Sequence, residues 1–185
     1  MANPDSYYLR TEVSNSDLTE LKNYLYPRTQ YGDKEKAFKF GTLVDALITE
    51  NERVRYDKRM VDDMTYSRED FELGLAMREA LRKEARKDEF LAAVLANSDT
   101  QKFMVNKAQT FTYGGFQYNL DTRCKWDWWL PAFGFGGDLK TTFAESQKQF
   151  NEAIDFFDWD RSRAWYMDIA CLLYTSPSPR DMRRS

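Results

Sequence analysis

The feature that most restricts the fold of this chain is the stretch from Gln101 to Trp129, where β-branched and aromatic residues run on both sides of Gly114-Gly115. Adjacent glycines between two extended runs supply the positive φ angles of a tight turn, so a long β-hairpin opening a meander is expected. After the turn, Phe116, Tyr118, Leu120, Thr122, Cys124, Trp126 and Trp128 alternate with Gln117, Asn119, Asp121, Arg123, Lys125 and Asp127. Successive side chains of a strand point to opposite faces, which predicts one packing face and one polar face that ends in Asp127. The chain then turns through Leu130 to Phe133 and enters a glycine-rich strand, Gly136 to Lys140. On that strand Asp138 and Lys140 share a face and Leu139 points the other way.

Helical spacing dominates elsewhere. Ser16 is the expected N-cap of a helix over 17–26, with Leu18, Leu21 and Leu25 on one side and Pro27 after its end. A second helix, about 35–50, repeats Phe40, Leu43, Val44, Leu47 and Ile48 as a core stripe. Its neighbouring face carries Gly41, Thr42, Asp45 and Thr49, small or acidic residues that admit a close neighbour or an ion. A charged helical stretch covers about 68–96 with a break near Lys87 to Glu89. Thr142 with Glu145 has the capping-box pattern, predicting a helix directly after the glycine-rich strand that runs to about Phe157. A last helix begins near Asp160 and carries Ser162, Arg163 and Tyr166 on one side, Trp165 and Ile169 on another.

Composition narrows the chemistry. A length of 185 residues fits a single domain, and 42% hydrophobic with 31% charged residues is a globular balance. No apolar run approaches the roughly 20 residues that span a bilayer, and MANPDSYYLR lacks the basic and apolar regions of a signal peptide, so a cytoplasmic location with no membrane partner is expected. Histidine is absent, which removes Ser-His-Asp and Cys-His catalysis and histidine-based zinc sites. Cys124 and Cys171 are too few for a four-thiolate site and are read as free thiols in a reducing compartment. The formal charge of -3 argues against indiscriminate coating of nucleic acid and leaves room for a local basic groove.

What remains is carboxylate, lysine and metal chemistry. A hairpin closing near Pro131 to Phe133 sets Asp127 opposite Asp138 on adjacent strands. Two carboxylates held that close repel, and a divalent cation with hard oxygen ligands relieves the repulsion. Lys140, two residues on, reaches the same spot, where an ammonium can polarise an attacking water and stabilise charge growing on a phosphate. The spacing alone fits a surface hairpin with a charge pair about as well.

KWDWW, then GGDLKTT, then a helix and DRSRAWYMD resemble the core of the PD-(D/E)XK nucleases. VSNSDLTELK with FKFGTLVDALITE is similar to the N-terminal half of RecE-type exonucleases, also called exonuclease VIII. The similarity covers roughly 7 to 170. In that family an arginine, proline and aspartate close the first core strand, a DxKTT or ExKTT element forms the next, and a glutamine and tyrosine follow on a helix. Asp127, Asp138 and Lys140 match directly, Thr141 and Thr142 complete the second element, and Tyr166 falls at the tyrosine position. The resemblance implies the backbone carbonyl of Leu139 as a further metal ligand. It also implies an α/β fold with a restriction-endonuclease-like core, a small mixed β-sheet flanked by helices, over residues 1–170. The implied activity is a Mg²⁺- or Mn²⁺-dependent exonuclease acting on linear duplex DNA in phage recombination, in the cytoplasm of a bacterial host. A single-strand annealing protein is the implied partner, and a homo-oligomer an implied assembly.

The departures are specific. Asp45 stands where the family often has the histidine of an FGTxxH element, and as a carboxylate it remains a candidate Mg²⁺ ligand. Ser162 replaces the helix glutamine, and Lys125-Trp126 replaces arginine-proline. These changes bear on catalytic efficiency, and a DNA-binding remnant without catalysis is the alternative expectation. CRISPR adaptation nucleases with an iron-sulfur cluster are disfavoured by the missing cysteines. The end, CLLYTSPSPRDMRRS, resembles a translated sequencing adaptor, so 171–185 is expected to be a non-native tail on a domain cut short. Arg78, Arg82 and Arg86 with Lys83 and Lys87 form a basic stripe, but the interleaved Glu79, Glu84, Asp88 and Glu89 favour an ion-paired solvated helix. Of the tryptophans, Trp126 and Trp128 are expected in the core and Trp129 is the candidate for stacking on bases.

Overall fold

The computed structural model describes Tyr7, residues 9–27 and residues 33–174, the side chains of 172–174 excepted. The described chain is a mixed α/β structure. Its helices are α1 (Asn15–Leu25), α2 (Lys34–Thr49), α3 (Arg68–Ala85), α4 (Glu89–Asn97), α5 (Gln147–Phe156) and α6 (Trp159–Tyr174). Its strands are β1 (Val54–Arg55), β2 (Met60–Val61), β3 (Met64–Thr65), β4 (Asp99–Tyr113), β5 (Phe116–Leu130) and β6 (Phe135–Gly137). Where one small mixed sheet was expected, there are two three-stranded sheets, β1-β2-β3 and β4-β5-β6. Their strand pairs run antiparallel, because each connection is a short turn rather than a crossover. The one parallel pairing among the described residues is an isolated bridge between Val13 and Thr122. No helix among the described residues is long and apolar enough to cross a membrane.

The chain divides into two compact units, each built from three separate segments. The first comprises Met1–Tyr8, Arg28–Lys102 and Trp126–Phe143. Asp33 caps α2 by accepting the Lys36 N–H, and the helix buries Leu43, Val44, Ala46, Leu47 and Thr49. Gly74 lets α3 cross close: a Cβ there would lie 2.9 Å from Leu47 Cδ1. Val54, Val61, Tyr66 and Phe71 complete this core, and each full burial of such a side chain contributes about 1.5–3 kcal/mol. Val54 and Val61, from the short sheet, pair directly across β1 and β2. That sheet was not foreseen, since two-residue strands carry too little alternation to read. The α3–α4 break falls at Arg86 to Asp88, with Asp88 capping α4. Within the basic stripe, Arg78 and Arg82 on α3 pair with Glu79, and Lys87, just past the helix, pairs with Glu84.

The second unit comprises Leu9–Pro27, Phe103–Lys125 and Ala144–Ser185. Here α1 starts two residues earlier than expected. Ser14, not Ser16, is the N-cap, because its hydroxyl accepts the Asp17 N–H while the Asp17 carboxylate accepts the Ser14 N–H in return. Lys22 on α1 pairs with Asp158 at 2.6 Å, and Arg161 on α6 donates to Asn15 and Thr19. Likewise α5 begins at Gln147 with Ser146 as its cap, so Thr142 is not the start of that helix. Gln149 explains the shift: its N–H goes to the Ser146 hydroxyl while its side-chain oxygen accepts the Glu145 N–H. Ser162 is buried on α6, and Tyr166 is half-buried on the same helix. The helix runs on to Tyr174, past the expected boundary at 170; the rest of the predicted tail, 175–185, lies outside the described residues.

The hairpin of β4 and β5 turns at Gly114 and Gly115, with φ of 57° and 82°, the left-handed geometry that a glycine pair supplies. The alternation on β5 holds only in part. Thr122, Cys124 and Trp126 are buried, but Phe116 and Tyr118 near the tip are exposed, Tyr118 with one ring face stacked on Phe111. Trp129, the expected exposed stacker, is only 2% exposed, with its ring centroid 5.8 Å from that of Trp126. At this end both strand faces are covered, so alternation no longer separates inside from outside.

Candidate metal centre

The last turn of the meander is a short 3-10 turn, Pro131 to Phe133, closed by Gly134 in the left-handed region at φ 55°. It brings β6 back against β5 with Trp128 opposite Gly137, Trp129 opposite Gly136 and Leu130 opposite Phe135. Carried one residue further, that register would set Asp127 across from Asp138. Gly136 makes the approach possible, because a Cβ there would lie 2.4 Å from the Trp126 ring. Contrary to expectation, β6 ends at Gly137, and Asp138, Leu139 and Lys140 continue in irregular backbone. The cause is a side chain in place of a ladder partner. The Leu139 N–H donates to Asp127 Oδ2 at 2.5 Å, so the strand acid itself terminates the pairing.

Lys140 Nζ lies 2.5 Å from Asp138 Oδ2, with exposures of 30% and 19%, so the two meet as an ion pair in irregular backbone rather than on the strand face expected of them. Among the described residues Asp127 makes no ion pair. Burial, then the negative charges of Asp138 and Asp45, push its carboxyl up to about 7, opposed by the Leu139 N–H and by Lys140. Asp45 comes from the small-residue face of α2. Its carboxylate accepts the Thr49 hydroxyl at 2.8 Å and the Gln101 side-chain amide at 3.3 Å. The same Gln101 Nε2 lies 3.5 Å from Asp127 Oδ1, which ties the helix acid to the strand acid. Gly41, one turn before Asp45, faces Thr141: a Cβ at Gly41 would lie 3.3 Å from Thr141 Oγ1. Asp45, Asp127, Asp138 and Lys140 therefore belong to one unit, gathered by α2, the start of β4, the end of β5 and the segment after β6. Tyr166 belongs to the second unit.

Gln101 is the member that sequence reading missed. Its backbone has φ of 51°, uncommon for a residue with a side chain, and that geometry was invisible in an otherwise ordinary strand pattern.

Among the described residues no group of three or more His, Cys, Asp or Glu side chains converges tightly enough to hold a metal unaided. Mg²⁺ does not require such a group, since it takes one or two carboxylates and completes its shell with water and phosphate oxygens. The candidate donors here are all hard oxygens, the Asp127, Asp138 and Asp45 carboxylates and the Leu139 carbonyl, and Lys140, the ammonium that opposes the raised Asp127 carboxyl, is itself paired with Asp138. The residues fit a small divalent cation in donor chemistry and charge. Comparison with family models, curated proteins and solved structures finds no match to this chain.

Proposed function

We propose that the chain is a metal-dependent nuclease with a PD-(D/E)XK-type core that hydrolyses phosphodiester bonds of linear duplex DNA as an exonuclease. The observation that carries this reading is the hairpin end at which Asp127 accepts the Leu139 N–H and feels the negative charge of Asp138, with Lys140 paired to Asp138 and, among the described residues, no ion pair to Asp127. A bound Mg²⁺ or Mn²⁺ would polarise the phosphate and lower the pKa of water. Asp127, Asp138 and the Leu139 carbonyl would hold it, with Asp45 as the helix contribution. The Leu139 N–H holds Oδ2 of the Asp127 carboxylate, and Oδ1 lies 3.5 Å from the Gln101 amide. Lys140, anchored by Asp138, orients the attacking water and stabilises negative charge as it develops on the phosphate. Tyr166 is carried into this proposal by the resemblance alone, as are a phage recombination role in a bacterial cytoplasm, an annealing-protein partner and a homo-oligomer.

The test uses linear duplex DNA with Mg²⁺ or Mn²⁺, following nucleotide release, and binding in Ca²⁺. Lys140→Ala should lose cleavage by about 10² to 10³ while still binding DNA, because it leaves the metal ligands in place. If the parent releases no nucleotides yet binds duplex as tightly as Asp138→Asn and Lys140→Ala do, the nuclease reading fails and a DNA-binding role without catalysis replaces it.

A further inference from the structure

Gln101 sits among oxygen acceptors. Its side-chain Nε2 is 2.9 Å from Thr49 Oγ1, 3.3 and 3.4 Å from the two Asp45 carboxylate oxygens and 3.5 Å from Asp127 Oδ1. An amide nitrogen is only a donor, so the electropositive end of Gln101 is turned toward two carboxylates that repel each other. Lys140 stands on the third acid, Asp138. The backbone at Gln101 adopts φ 51°, a strained choice for a residue with a Cβ, near the start of β4. Such a local distortion re-aims a side chain, and here the side chain is re-aimed between Asp45 and Asp127. Thr49 completes the arrangement, its hydroxyl touching both the Asp45 carboxylate and the Gln101 amide.

We propose that Gln101 is a positioning residue for the metal centre: its carboxamide bridges Asp45 and Asp127 and holds the two carboxylates facing one another, ready for a divalent cation. The inference rests on the metal-site reading above and adds to it the residue that preorganises the ligands. Without the amide, the two acids turn apart to reduce their repulsion, and a cation must reassemble them on binding. Partners of this kind, which orient ligands without bonding to the metal, typically change metal affinity about 10- to 100-fold when removed. The side chain also has a carbonyl oxygen at the same end, so a glutamate of equal reach would place a full negative charge where the amide now donates.

Three substitutions test this by Mn²⁺ titration calorimetry and by thermal melts in EDTA and in Mn²⁺. Gln101→Met keeps the shape and the strained backbone and deletes the amide. Gln101→Gly deletes the amide and relieves the strain, so it remains informative if the methionine variant folds poorly. Both should bind Mn²⁺ about tenfold or more weakly than the parent. Gln101→Glu should melt below the parent in EDTA, because it adds a further negative charge beside Asp45 and Asp127, and this deficit should vanish or reverse in Mn²⁺, which a purely structural hydrogen bond would not produce. Asp127→Asn separates the two readings. If the parent does not bind Mn²⁺, or Asp127→Asn binds as well as the parent, the metal centre itself falls and this inference with it. If Asp127→Asn abolishes binding but Gln101→Met and Gln101→Gly bind within about twofold of the parent, or Gln101→Glu is destabilised equally with and without Mn²⁺, the metal centre stands and the role of Gln101 is overturned.

Discussion

Asp121 and Asp127 stand on β5, six residues apart, in opposite surroundings. Asp121 is exposed, lies 2.9 Å from Lys107 Nζ and accepts the Ala108 N–H at 2.8 Å, and these partners, Lys107 first, hold its carboxyl below the usual range. Lys107 also pairs with Glu12, which Arg10 and Lys107 together hold down to about 2. Asp127 has burial and two further acids for company, and its carboxyl is pushed up to about 7. Stability alone favours the first arrangement. The second costs stability, and carboxyls perturbed in this way cluster where a protein binds or reacts. The same strand thus carries one acid matched for folding and one left unmatched.

The largest effect that would break this contrast is on cleavage. Asp127→Asn should lower nucleotide release from linear duplex DNA in Mg²⁺ or Mn²⁺ by about 10² to 10³, whereas Asp121→Asn should leave the rate within about twofold. Equal losses would show that the strand, rather than the site, is being perturbed. Next in size is the packing that sets Asp127 against the segment bearing Asp138. Gly136→Ala should cost about 1–3 kcal/mol by forcing its methyl into the Trp126 ring, read as a lower urea midpoint with unchanged slope.

The pH dependence should have opposite signs at the two acids. Asp127 has a folded pKa above its unfolded one, so metal-free folded protein binds the extra proton between about pH 4 and 7, and stability is lost as pH rises through 7. Melting temperatures in EDTA should therefore show the parent falling below Asp127→Asn as pH goes from about 5 to 8, and Mn²⁺ should remove the gap. Asp121 has a depressed folded pKa, so its contribution is present above the unfolded value and is lost as pH falls through the folded one. A parent that gains on Asp127→Asn at high pH without metal would contradict the assigned surroundings. The smallest effect should come from Lys107→Ala, a slight fall in melting temperature that shrinks as salt is raised, because exposed pairs are screened.

The long hairpin, α2 with its apolar stripe, the α3–α4 break and the meeting of Asp127 with the Asp138–Lys140 segment were legible because each follows from local periodicity or from a turn of few residues. Helix starts were less legible. Ser14 and Ser16 are both capable caps, and only the reciprocal bond from Asp17 selects the first. The cap at Ser146 was chosen in the same way by the side chain of Gln149. Trp129 was misplaced because the period-two rule presumes one open face, which the end of β5 lacks. Gln101 was out of reach for a different reason: its role depends on a positive φ and on acids 56 and 26 residues distant in sequence.

The glycine under the Trp126 ring has an optical consequence. Trp126 and Trp129 are both shut away from water at the end of β5 that carries Asp127, and Trp126 lies flush against the backbone of Gly136 on the returning strand. Indole emission moves to longer wavelength when water reaches the ring and changes intensity when a quenching group shifts beside it. Any motion that lifts β6 from β5 must uncover this pair. The five tryptophans of the chain would all contribute to the spectrum, but it is the blue edge of the emission that these two dominate, and that edge is a label-free signal of whether the strand bearing Asp127 is closed or open.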